Sequence, residues 1–162
     1  MKKSGHRTGF GFDSHSYAVD GQLVLGGVSI PGEPALKGHS DGDALLHAVI
    51  DALLGAAGMG DIGELYPDTS AGTKGMSSLV MLREVAARLR QANLAATHVD
   101  VTVVAERPRL SAHKAAIKDV LRRELSLDDT SANVKAKTPE GLTLFAKPTG
   151  VAVWAVATVE PI

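Results

Sequence analysis

Short apolar stretches alternating with longer helical ones predict one mixed domain, α/β or α+β, for this 162-residue chain. Its composition fits that class, with 44% apolar and 22% charged residues, the balance of a globular protein with a real core. No internal repeat or low-complexity segment interrupts the pattern. The length leaves little room for a second domain, so residues 1–162 are read as a single one.

The elements follow in order. Residues 9–15 read as an early strand, and Leu23-Val24-Leu25 before Gly26-Gly27 as a strand and a turn. A Gly- and Pro-rich connection covers residues 31–38. Residues 41–57 form the first strong helix: Leu45, Val49, Ala52, Leu53 and Ala56 make one apolar face and Leu46, Ile50 and Leu54 another, so the helix is expected to be largely buried. Residues 58–75 hold five Gly, two Asp and a Pro-Asp pair, which is loop chemistry. Residues 77–91 are amphipathic, with Leu79, Leu82, Ala86 and Leu89 inward. Residues 98–105 alternate as a strand, Pro108 punctuates, and residues 111–125 make a third helix whose Lys114, Lys118, Arg122 and Arg123 form a solvated face. Residues 133–137 are a short strand. In the last strand, residues 151–159, neither face carries a charge, so both are expected to be covered, one by helices and the other by another copy of the chain.

Several function classes drop out. Seventeen Lys and Arg against eighteen Asp and Glu give a net charge of −1, which speaks against a nucleic-acid binder. Without Cys there is no disulfide, thiolate nucleophile or Cys-type zinc finger, so any metal must take nitrogen and oxygen ligands. The charged start is followed by no apolar stretch of signal-peptide type, and residues 148–159 are too few to cross a bilayer. A cytoplasmic protein without membrane contact is expected.

Ionisable groups on buried elements are the candidates for chemistry. Asp13 and His15, at i and i+2 of a strand, point the same way. His47, midway along the buried helix, is available as a third ligand, and Asp/His/His suits a zinc site with one open position. Asp43, one turn earlier, is placed to orient an imidazole. Equally, Asp13 and His15 fit a local turn hydrogen bond and His47 a satisfied core histidine. In His39-Ser40-Asp41-Gly42-Asp43, one Ser or Asp is the expected helix cap, although two acids beside a His also suit a phosphate or a metal. Asp61-Ile62-Gly63 and Tyr66-Pro67-Asp68-Thr69 fit plain turns. Lys135 and Lys137 with Thr138 and Glu140 end a strand, where such charges are ordinarily solvated; taken with the other motifs they suit an anionic ligand bound through a second, oxygen-liganded cation.

The order of these pieces is more specific than any one of them. GFDSH (11–15), GHSDGDALLHAVIDALLGAAGMGDIGELYPDTS (38–70), VDVTVVAERPRLSAH (99–113) and NVKAKTPEGL (133–142) together resemble the 2-C-methyl-D-erythritol 2,4-cyclodiphosphate synthase family, which works in the non-mevalonate route to isoprenoids. The resemblance implies an α+β fold, a mixed β-sheet with helices packed on one face. It implies a homotrimer with the sheets facing a central cavity and the active sites between subunits. The implied activity is that of a metal-dependent phosphorus–oxygen lyase. It converts 4-diphosphocytidyl-2-C-methyl-D-erythritol 2-phosphate to the 2,4-cyclodiphosphate and CMP, by attack of the 2-phosphate on the β-phosphate.

By the same resemblance, zinc falls on Asp13, His15 and His47, and a second divalent ion, Mg²⁺ or Mn²⁺, on Glu140. His39 and Thr138 are implied as catalytic contacts to the phosphates. Ser40 grips the erythritol phosphate, and Asp61, Ile62, Gly63, Tyr66, Pro67, Asp68, Thr69 and Ser70 hold the methylerythritol portion. Ala105, Glu106, Arg107, Pro108, Arg109, Leu110 and Ser111 of a neighbouring subunit cradle cytosine. Lys137 adds a cation where small hydroxyl residues are usual. Leu144 stands at a frequent Phe, and Lys147 and Thr149 at an Arg and a Glu that often line the cavity mouth. Two rival readings use the same residues: a zinc hydrolase that sends water against a phosphoester, and a trimeric binder without turnover.

Overall fold

Four strands form one sheet in the order β1-β6-β4-β5: β1 (Arg7–Ser16), β4 (Leu94–Ala105), β5 (Ala132–Lys137) and β6 (Gly150–Pro161). The computed structural model describes residues 5–141 and 149–162. β6 runs antiparallel to both β1 and β4, while β5 runs parallel to β4. The sheet is therefore mixed. β1, β4 and β5 consequently all end on the same side of the sheet, which brings the segments after residues 16, 105 and 137 to one end of the molecule.

Period-two alternation decides the faces. Val99, Val101 and Val103 of β4, Val134 of β5, and Val151, Val153, Ala155, Ala157 and Val159 of β6 are buried. Helix α1 (Ala44–Ala57) lies across β1, β6 and β4; α3 (Ser78–Gln91) packs on β4 and α4 (Lys114–Leu125) on β5. Ten residues of α1 are buried, from Ala44 to Ala56, which accounts for the apolar character found around most of its circumference. The other sheet face carries Phe10 and Phe12, 64% and 47% exposed, beside Trp154 and Val156. Among the described residues of the chain, nothing covers this second face of β6.

The strand at Leu23–Leu25 (β2) pairs with an unanticipated one at Val28–Ile30 (β3). Gly26 and Gly27 both take positive φ, 63° and 72°, the conformation that a two-residue hairpin turn needs. Their amides donate to the two carboxylate oxygens of Asp43, at 2.8 and 2.7 Å. Asp43 also caps α1 by accepting from the Leu46 amide at 3.0 Å. Both oxygens are therefore taken by backbone amides, and Asp43 does not orient an imidazole. The loop read at 58–75 contains a one-turn helix, α2 (Ile62–Leu65), capped by Asp61, and a 3-10 turn at Ala71–Thr73. Residues 110–112 form a separate 3-10 turn before α4.

Candidate metal centre and substrate cleft

The inner face of β1 carries Gly9, Gly11, Asp13 and His15 in succession. The two glycines let the strand approach the α1 backbone: a Cβ at Gly9 would lie 2.0 Å from the Ala52 carbonyl oxygen, and one at Gly11 2.0 Å from that of Ala48. That approach brings the last two residues of the row against His47 of α1. Asp13 Oδ2, His15 Nε2 and His47 Nδ1 converge, at separations of 2.8, 3.1 and 3.3 Å. A tetrahedral ion with bonds of about 2.0–2.2 Å holds its donors roughly 3.3–3.5 Å apart, so the Asp13–His15 pair needs to open by roughly half an ångström and the other two pairs by less. The group fits a metal ion.

The surroundings prepare two of the donors. His15 turns Nδ1 to the backbone carbonyl of Lys37, which can only accept, so Nδ1 carries a hydrogen and Nε2 is the nitrogen turned to the cluster, free to offer its lone pair to an ion once the proton it shares with Asp13 is released. His47 turns Nε2 away, towards Ser78 Oγ at 2.9 Å and Ser40 Oγ at 3.1 Å. Burial raises the Asp13 carboxyl, but hydrogen bonds from His15 and His47 and their charges outweigh it and bring it down to about 2. The hydrogen bond to Asp13 pushes His15 up against an opposing desolvation. These are the proton equilibria of the metal-free cluster, which an ion would displace.

The cluster lies in a cleft of about 410 Å³. Its lining includes Asp13, His15, His39, Ser40, His47, Ile62, Gly63, Tyr66, Pro67, Asp68 and Thr69, all singled out in the sequence, together with Gly38, Thr73 and Met81, which were not. Thr73 holds the loop by donating its hydroxyl to the carbonyls of Pro67 and Ser70, at 3.0 and 2.8 Å. His39 Nε2 lies 3.1 Å from the Ser70 carbonyl and donates to it. Asp51, on the α1 stripe one turn beyond His47, accepts from the Ile62 amide at 2.8 Å and so ties the start of α2 to α1. Burial raises its carboxyl, partly offset by that bond. The Tyr66 hydroxyl donates to Glu84 at 2.7 Å; burial and this carboxylate push the phenol up.

Other residues from the sequence reading stand outside this lining. Asp61 caps α2 through its side chain, and Ser70 caps the 3-10 turn. Lys137 is exposed at the end of β5; beyond it the Thr138 hydroxyl donates to Glu140, an exposed residue with φ 51°. Residues 105–111 leave the end of β4, where the Tyr17 hydroxyl donates to the Arg107 carbonyl and the Arg107 guanidinium stacks 5.4 Å from the Tyr17 ring. Leu144 and Lys147 lie outside the described residues. Met81 escaped the sequence reading because its spacing on α3 is that of any core residue, and Thr73 because loop hydroxyls give no signal. Gly38 adjoins His39 in a motif and was within reach.

Comparison with known proteins bears on this geometry. The model of the YgbB family matches residues 6–160. A protein of Gemmatimonas aurantiaca named 2-C-methyl-D-erythritol 2,4-cyclodiphosphate synthase is 47% identical over 153 residues, 94% of this chain and 92% of its own. The bifunctional IspDF structure from Campylobacter jejuni superposes with a TM-score of 0.93 at 38% identity; it covers 99% of this chain, which spans 43% of that longer one. The Plasmodium falciparum IspF complex with CDP has a TM-score of 0.84 at 31% identity, covering 99% of both chains. With its family model matched almost end to end and such relatives over most of its length, the chain belongs to the YgbB family, that of the 2-C-methyl-D-erythritol 2,4-cyclodiphosphate synthases.

Proposed function

We propose that the chain converts 4-diphosphocytidyl-2-C-methyl-D-erythritol 2-phosphate to 2-C-methyl-D-erythritol 2,4-cyclodiphosphate and CMP, acting in the cytoplasm as a single domain of 162 residues. The observation that carries this reading is the convergence of Asp13, His15 and His47 in a cleft that also holds His39 and Ser40. The nucleophile is the substrate's own 2-phosphate, already anionic near neutral pH, so no side chain has to remove a proton from it. The difficulty is the mutual repulsion of two phosphates. A zinc ion on Asp13, His15 and His47, and Mg²⁺ or Mn²⁺ on Glu140, supply Lewis-acid charge neutralisation when bound.

The chain's own residues do the positioning. Ser40 offers a hydroxyl beside the metal ligands. His39 is anchored at the cleft by giving its Nε2–H to the Ser70 carbonyl, which sets its ring beside the metal ligands as a contact to the phosphates. The loop from Asp61 to Ser70, fastened by Asp51 and Thr73, confines the methylerythritol portion, so that attack becomes a preset intramolecular step. Thr138 and Lys137 sit with Glu140 on the end of β5 as contacts to the diphosphate.

A homotrimer completes this arrangement. Support comes from the exposed Phe10, Phe12 and Val156 on the uncovered sheet face, too apolar a surface to leave in water. Residues 105–111 do not line the cleft of their own chain, which supports their cradling cytosine for a neighbour. Among the described residues no helix is long and apolar enough to cross a membrane.

The test is mass spectrometry of the product formed with Zn²⁺ and Mg²⁺ supplied, together with metal analysis and solution mass. The cyclic diphosphate is expected with one CMP per turnover. A linear product would establish the hydrolase instead, and ligand binding without CMP release the inert binder. His47→Ala is expected to lose both zinc and turnover while the trimer persists; normal turnover in it would refute the metal assignment.

A further inference from the structure

The side of His47 that faces away from the cluster meets a buried polar chain. Ser78, the first residue of α3, is fully buried, and its hydroxyl lies between two groups: Asp41 Oδ1 in hydrogen-bonding contact, and His47 Nε2 at 2.9 Å. The second carboxylate oxygen of Asp41 accepts from the Ser78 amide at 2.9 Å. Ser77, the cap position of α3, makes no side-chain cap bond, so Asp41 serves that helix from a distance in sequence.

The directions of these bonds follow from chemistry. An ionised carboxylate only accepts, so the Ser78 hydroxyl gives its hydrogen to Asp41. The Ser78 oxygen then presents lone pairs to Nε2, which must carry the hydrogen. In a neutral imidazole a hydrogen on Nε2 leaves the lone pair on Nδ1, the atom that faces Asp13 and His15. Ser40 Oγ, which lines the cleft at 3.1 Å from the same nitrogen, meets no carboxylate among the described residues, and its hydrogen remains available to a ligand.

We infer that Asp41 and Ser78 are positioning residues for the metal centre: the run Asp41–Ser78–His47 holds the imidazole in the tautomer that offers Nδ1 to the ion. The inference rests on the reading of Asp13, His15 and His47 as metal ligands. It also gives Asp41 a purpose that capping alone does not require, since the hydroxyl contact adds nothing to the cap.

The test measures zinc affinity by chelator competition in wild type, Ser78→Ala and Ser78→Thr, alongside imidazole ¹⁵N shifts of the wild-type protein. Ser78→Ala is expected to weaken zinc binding about 10–100-fold, the range for lost outer partners of a metal-bound histidine. Ser78→Thr, which keeps the hydroxyl, is expected to recover most of it. The spectrum of the metal-free protein is expected to show a hydrogen on His47 Nε2, whatever Nδ1 shares with the Asp13 carboxylate 3.1 Å away. An Nε2 without a hydrogen overturns the inference even where Ser78→Ala fails to fold. So does unchanged affinity in a folded Ser78→Ala. A wild-type protein that binds no zinc defeats the metal reading instead, and the two failures are thereby distinct.

Discussion

Replacing Gly11 by alanine tests whether the close approach of β1 to α1 assembles the metal centre. The added Cβ would sit 2.0 Å from the Ala48 carbonyl oxygen and 2.7 Å from the Ala52 nitrogen, both backbone atoms of a helix that cannot swing aside. Real Cβ atoms stay beyond 3.0 Å from such atoms, so strand and helix must separate by about 1 Å, several times the ~0.2 Å that metal–ligand distances tolerate. Asp13 and His15 ride on the strand and His47 on the helix, so the separation falls directly across the cluster. Zinc affinity is expected to drop by at least the ~10–100-fold seen when an outer partner is lost. Overpacking adds a loss of about 1–3 kcal/mol in folding stability. Urea denaturation of the zinc-free protein measures the second effect and chelator competition the first. Gly5→Ala, where a Cβ meets nothing within 4 Å, is the neutral control. A Gly11→Ala protein of wild-type stability and zinc affinity would show that the backbone contact does not set the site.

The zinc-free protein has a pH dependence of definite sign. Asp13, lowered to about 2 from 3.8, contributes stability above 3.8 that disappears as pH falls through 2. His15, raised from 6.5, contributes fully below 6.5 and loses its share as pH rises through its shifted value. Denaturation across this range should therefore show both slopes, and Asp13→Asn should flatten them; a variant that keeps the wild-type profile would deny the pairing. Asp43→Ala strips a helix cap worth about 1 kcal/mol and leaves two amides of the hairpin turn unsatisfied at about 1–3 kcal/mol each. A urea-measured loss of about 3 kcal/mol or more is expected, and a loss confined to the cap value would mean that water replaces the carboxylate. Glu140→Gln should leave bound zinc unchanged by metal analysis and weaken the response of CMP release to Mg²⁺ or Mn²⁺. Equal loss of zinc in Glu140→Gln and His47→Ala would merge the two roles.

Much of the fold was legible where local pattern and burial coincide. The strands at 9–15 and 151–159 and the helices at 41–57 and 77–91 appear with shifts of a few residues at their ends. What escaped was short or held from afar. Helix α2 has four residues, too few for a period, and exists because Asp61 caps it and Asp51 anchors it. β3 has three, stabilised through a turn that Asp43 grips from seventeen residues away. β4 begins at Leu94 rather than His98, because Leu94-Ala95-Ala96 pairs with the far end of β6 despite weak strand propensity. Asp43 misled for a related reason. Its spacing placed it on the helix face of His47, whereas the residue stands at the cap, where φ is −71° and ψ 83°.

The candidate donor types were legible in the residues themselves: without cysteine, a carboxylate and imidazoles were the donors to look for, and period-two and period-3.6 patterns turned them inward. Which nitrogen of each ring meets the cluster, which hydroxyls and carbonyls stand behind it, and how near β1 comes to α1 were matters of long-range packing. Periodicity encodes the direction in which a side chain points, but the gap between two facing segments depends on what fills it. Here two glycines leave nothing between backbone and backbone, and Asp13, His15 and His47 meet because of that empty space.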